Sequence, residues 1–134
     1  MYGTSASLAV ITLAVSLVGA PSAAAAAAGA DAFRGEWTSV DTDGSRQWLW
    51  IEGTGIAGSH AVRWIDESAT AVCGGDEAAV QGRGEVQGDV LNVRATLTCR
   101  PGGNPLRTRI EVEFVHATQP DTLTDGFGVT WTRI

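Results

Sequence analysis

Leu91-Asn92-Val93-Arg94-Ala95-Thr96-Leu97-Thr98-Cys99 alternates without a break between apolar and polar side chains. Successive side chains of a β-strand point to opposite faces, so this run makes a strand with one apolar face (Leu91, Val93, Ala95, Leu97, Cys99) and one wet face. An amphipathic helix would instead space its apolar residues three and four apart. The run therefore predicts a half-buried strand in an antiparallel sheet.

The same pattern extends in both directions. Upstream, Gln87-Gly88-Asp89 reads as a hairpin turn, and Ala78–Val86 as the strand before it, with Gly82 and Gly84 on its inner face. Downstream, Pro101 to Pro105 reads as a loop. Beyond it Thr108, Ile110, Val112 and Phe114 alternate inward, while Arg107, Arg109, Glu111 and Glu113 alternate outward. Nearer the N-terminus the expected strands are Phe33–Val40 (Phe33, Gly35 and Trp37 on one face), Gln47–Glu52, His60–Asp66 and a short Ala69–Cys73. Asp43-Gly44 and Asp125-Gly126 are hairpin turns, because glycine tolerates the positive φ of a tight turn. The second of these joins Thr122-Leu123-Thr124 to Phe127–Arg133, where Phe127, Val129 and Trp131 share a face.

Turn signals recur roughly every eight to twelve residues, which is the spacing of an all-β sandwich or barrel. Strands joined in sequence by short loops form an up-and-down meander. An open sheet of about eight strands would leave two bare edges and one unburied face, and closure into a barrel removes both problems. The expected fold is an all-β, antiparallel, up-and-down barrel of about eight strands.

Residues 1–30 contain no charged side chain, whereas all nine basic residues, every one of them arginine, and all 15 acids follow. Leu8–Ala20 is an apolar core, Pro21-Ser22 breaks it, and Ala28-Gly29-Ala30 is an A-x-A cleavage signal, so 1–30 reads as a secretory signal peptide and 31–134 as one barrel domain. An uncleaved anchor over Ser7–Ala28 is the alternative, but Pro21 and the weakly apolar alanines favour cleavage without a stable membrane anchor. The expected location is extracellular. A net charge of −6 and a pI of about 4.7 argue against nucleic acid and anionic membrane surfaces as partners. The two cysteines of an exported chain should pair, which makes Cys73–Cys99 the expected disulfide.

Gly35-Glu36-Trp37 at the start of the first strand resembles the Gly-x-Trp signature of the calycin superfamily, the lipocalins, avidins and related barrels. The resemblance implies that Trp37 closes one barrel end against an arginine from the end of the barrel sequence, a part that falls to Arg133. It also implies a ligand-binding interior. The chain is similar as well to small exported actinobacterial proteins that share the Gly-x-Trp start, Cys73-Gly74-Gly75 and Asp121-Thr122-Leu123-Thr124-Asp125. Small bacterial inhibitors of secreted metalloproteases are a further similar group, built as single-disulfide barrels of this kind.

Two sets of tryptophans are candidate binding residues. Trp37, Trp64 and Trp131 fall on inner faces, where they would line a cavity for a small, partly apolar ligand or simply fill the core. Trp48 and Trp50 alternate with the core residues Leu49 and Ile51, which puts them outside beside Arg46 and Glu52. Neighbouring exposed indoles make a stacking platform for a sugar or an anchor for a protein partner, such as a protease target.

Other constellations are weaker. Asp41-Thr42-Asp43-Gly44-Ser45 resembles the start of a calcium loop, but Arg46 occupies the position where that loop needs glycine, so turn chemistry explains it better. Ser59 and His60 are strand neighbours and point apart. Asp66 and Glu67 read as solvated loop-end carboxylates, and no Gly-x-Ser-x-Gly elbow is present. The sequence thus predicts a secreted, non-catalytic binding protein without metal or cofactor. In the leading reading it takes a small, partly apolar ligand inside the barrel, and in the alternative an extracellular protein or glycan at Trp48 and Trp50 on the outer face. A passive envelope protein with no specific ligand is the further alternative.

Overall fold

The computed structural model describes residue 29 and residues 31–100 and 107–134. The leader read from 1–30 lies outside these, save Gly29, as does the loop from Pro101 to Pro105. Eight strands follow in order: β1 Gly35–Val40, β2 Arg46–Gly53, β3 Ser59–Asp66, β4 Ala78–Gln87, β5 Val90–Cys99, β6 Arg107–Thr118, β7 Asp121–Asp125 and β8 Thr130–Arg133. Each pairs antiparallel with the next, and β8 returns to β1 through Trp37↔Arg133 and Thr38↔Thr132, closing the barrel.

The inner face is the one that alternation marks. Leu91, Val93, Ala95, Leu97 and Cys99 of β5 are all buried, and so are Leu49 and Ile51 of β2. Glycine lets two strands pack unusually close. A methyl group at Gly82 would meet the β5 backbone at Arg94 and Ala95, and one at Gly84 would meet Leu91 Cδ1 at 2.6 Å. Removing two side chains from β4 thus draws β5 inward.

The segment Ala69–Cys73 is not a strand. Thr70–Cys73 forms a short helix, α1, ended by Gly74 in the left-handed conformation (φ 64°). Gly74 and Gly75 both adopt positive φ, which a strand would not accommodate, and the helical turn carries Cys73 to the end of β5. There the disulfide Cys73–Cys99 forms, with Cα atoms 5.4 Å apart. It closes a 26-residue separation, which stabilises the fold by about 3–4 kcal/mol in the chain-entropy account.

Two inner-face expectations also change at this disulfide-bearing end of the barrel. Phe127 is 70% exposed rather than sharing the buried face of Val129 and Trp131. The Asp125 carboxylate accepts the N–H groups of both Phe127 and Val129, which folds Gly126–Gly128 into a turn and delays β8 to Thr130. Thr108 is exposed and Ile110 only half-buried. Strand β7 pairs with β6 only from Phe114 to Thr118, so among the described residues no strand covers the first half of β6 on that side. Phe33, expected in the first strand, lies just before it in a turn and is nonetheless fully buried.

Candidate functional site

The opposite barrel end is sealed. Trp37 is fully buried and donates its indole N–H to the Phe33 carbonyl at 3.0 Å. Arg133 lies over the Trp37 ring, its guanidinium carbon 4.1 Å from the centroid. The same guanidinium donates to the carbonyls of Arg34 and Ala32 and, at 2.7 Å, to Asp121. Gly35 has φ 137°, and a side chain there would collide with the Arg133 guanidinium, so glycine two residues before the tryptophan is what admits the arginine. His116 completes the plug, 2.8 Å from Asp121 and with its ring against Phe33 and Trp37. Arg133 first, and His116 second, hold the Asp121 carboxyl below the usual carboxylate range.

Trp64 and Trp131 come together apart from Trp37. With Phe114 they form a three-ring cluster whose centroids are 5.9–6.4 Å apart, in edge-to-face and tilted geometries. Trp131 donates its indole N–H to Asp125 at 3.0 Å, which satisfies its one polar atom. Within the barrel these rings touch each other, so a guest among them has to displace aromatic side chains.

Trp48 and Trp50 stand on the outer wall, half-exposed, as their phase against Leu49 and Ile51 predicts. Strand register gives them different neighbours. Trp48 lies between Thr38 and Ile65, while Trp50 lies between Glu36 and Arg63, with Gln81 next along the row. The Arg63 guanidinium sits 4.6 Å from the Trp50 ring centroid, an exposed cation–π contact of about 0.5–1 kcal/mol that holds the indole in one orientation. A depression of about 300 Å³ on one side of Trp50 is lined by Glu52, Arg63 and Gln81. Another of about 360 Å³ on the other side is lined by Arg34, Glu36 and Glu52. Arg63, Glu36 and Gln81 escape sequence reasoning because the registers of β1 with β2, β2 with β3 and β3 with β4 set which residues lie beside Trp50.

A larger depression, about 820 Å³, arches over the outside of β4–β6. Its walls are long charged side chains, including Arg94 and Glu111, which already pair with each other at 3.4 Å, and Phe127 forms its rim. The calcium-like segment is a turn: Asp41 accepts from the Thr42 N–H, and Asp43 accepts from the Ser45 N–H and the Thr70 hydroxyl. Asp66 is buried and accepts from Ser45, Gln47 and the Ser68 N–H, so it ties loops together. Among the described residues no three of His, Cys, Asp and Glu gather as a metal-holding group. Also among them, no helix is long and apolar enough to cross a membrane.

The geometry defines a closed, eight-stranded antiparallel barrel with a plugged end and an aromatic outer ledge. Compared with protein-family models, curated proteins and solved structures, the chain matches none.

Proposed function

We propose that this chain is an extracellular, non-catalytic binding protein whose ligand is a glycan held on the outer wall around Trp50 and Trp48. The observation that carries the reading is Trp50 itself: half-exposed, oriented by Arg63, and flanked by two shallow depressions whose walls offer both donors and acceptors. A sugar ring presents an apolar C–H face and a rim of hydroxyls. An indole covers the first, and Arg63, Gln81, Glu36 and Glu52 suit the second. The apolar run Leu8–Ala20 followed by Ala28-Gly29-Ala30, together with the Cys73–Cys99 disulfide, supports a location outside the cell. The Gly35-Glu36-Trp37 start and the Arg133–Trp37 stack support the resemblance to calycin barrels.

The interior reading, a small apolar ligand against Trp37, Trp64 and Trp131, finds less support. Trp37 and Trp131 are almost wholly enclosed by their own neighbours. Titrating tryptophan emission with neutral, acidic and amino oligosaccharides, alongside retention on insoluble polysaccharides, tests the outer-wall reading. A saturable change that disappears in the W48T/W50T variant, with the far-UV spectrum intact, is the expected result. Binding that survives the double substitution, or no response to any saccharide class, overturns it.

A further inference from the structure

We infer that the first half of β6 is a self-complementary edge through which two copies of this chain pair, forming one sheet across a two-fold axis at Ile110. Residues Arg107–Glu113 pair with β5 on one side. On the other side, β7 ends at Asp125, opposite Phe114, and among the described residues no strand pairs with this stretch. In an antiparallel strand alternate residues direct N–H and C=O groups to each flank, so this edge presents a row of backbone groups that can accept another strand.

The occupant follows from the order of side chains. Arg107-Thr108-Arg109-Ile110-Glu111-Val112-Glu113 is charge-complementary to its own reverse. Antiparallel pairing about Ile110 sets Arg107 opposite Glu113 of the second copy and Arg109 opposite its Glu111, twice over by symmetry. On the inner face Ile110 meets Ile110, and Thr108 meets Val112. Directly opposed residues share a face, so the charges all meet outside and the apolar residues inside. An edge guarded only against association would serve equally well with charges of one sign. Here the two signs are segregated on either side of the centre, which is what an isologous contact requires.

The side chains are also available. Among the described residues Arg107, Arg109 and Glu113 have no ion-pair partner, and Glu111 has only the exposed contact with Arg94. Ile110 is half-buried and Thr108 exposed, while Val112, the third inner-face position of this stretch, is buried. The seam is seven residues long, below the area of a permanent interface, so the dimer is in concentration-dependent equilibrium with monomer. It lies across the barrel from Trp50 and is independent of the glycan reading.

The test is a charge swap read by analytical ultracentrifugation of the oxidised protein, expressed as the full chain with whatever processing the host performs. Wild type should sediment as a reversible dimer at high concentration and dissociate in high salt. R107E/R109E and E111R/E113R each place like charges opposite one another and should raise the dissociation constant by about 100-fold or more. An equimolar mixture of the two variants opposes Glu to Arg at every position and should restore the dimer. A far-UV spectrum matching wild type shows that each variant is folded. Wild type that stays monomeric at high concentration, variants that dimerise as wild type does, or folded variants that fail to pair when mixed overturns the proposal.

Discussion

Arg133, the penultimate residue, lies 4.1 Å from the Trp37 ring centroid and opposite Trp37 in the β1–β8 register. One contact therefore seals the barrel end and joins the last strand to the first. The guanidinium also satisfies two backbone carbonyls and the Asp121 carboxylate. A planar fork that stacks and donates in several directions is chemistry that lysine lacks.

Arg133→Ala should therefore cost about 2–4 kcal/mol, from a cation–π contact and several charge-assisted hydrogen bonds lost together. Arg133→Lys should recover less than half of that. Urea unfolding curves of the two variants check it, and a lysine variant as stable as wild type would refute the stacking account.

Glycine at position 84 is a packing requirement. A Cβ there meets Leu91 Cδ1 at 2.6 Å and Val93 Cγ2 at 3.2 Å. Gly84→Val should destabilise by about 1–3 kcal/mol through overpacking. In the same unfolding assay, trimming the obstruction with Leu91→Ala should make the two effects non-additive, since the residues are in contact.

Acid should weaken the molecule in a defined window. Hydrogen bonds from Ser45 first, and from Thr70, lower the Asp43 carboxyl from 3.8 to about 2. Asp121 is lowered as well, by Arg133 first and His116 second. A carboxylate with a depressed folded-state pKa binds fewer protons folded than unfolded. Its stabilising contribution is therefore present above the unfolded value near 3.8 and fades as pH falls through the folded one. Thermal midpoints should drop between about pH 4 and pH 2, and Asp43→Asn together with Asp121→Asn should flatten that drop. An unchanged slope in the double variant would assign acid lability to other groups.

Much of the barrel follows from sequence alone, because the period of two is a local property. Alternation in Leu91–Cys99 requires no knowledge of neighbours to mark its inner face, and every marked residue is buried. The same reasoning puts Leu49 and Ile51 inside and Trp48 and Trp50 outside. The Cys73–Cys99 pair is legible because only two cysteines exist.

Other features depend on residues distant in sequence, and only the closed structure decided them. Ala69–Cys73 has strand-compatible side chains, yet Gly74 and the position of Cys99 turn it into α1. Phe127 alternates correctly with Val129 and Trp131, but the Asp125 carboxylate captures two N–H groups and pulls the ring outside. That Trp64, Phe114 and Trp131 meet is set by barrel closure, which brings β3, β6 and β8 around one axis. Which side chain faces Trp50, and how much of β6 remains uncovered, are set by strand register and length. These are global quantities: a strand's pattern states which face is apolar, while tertiary packing states what that face will touch.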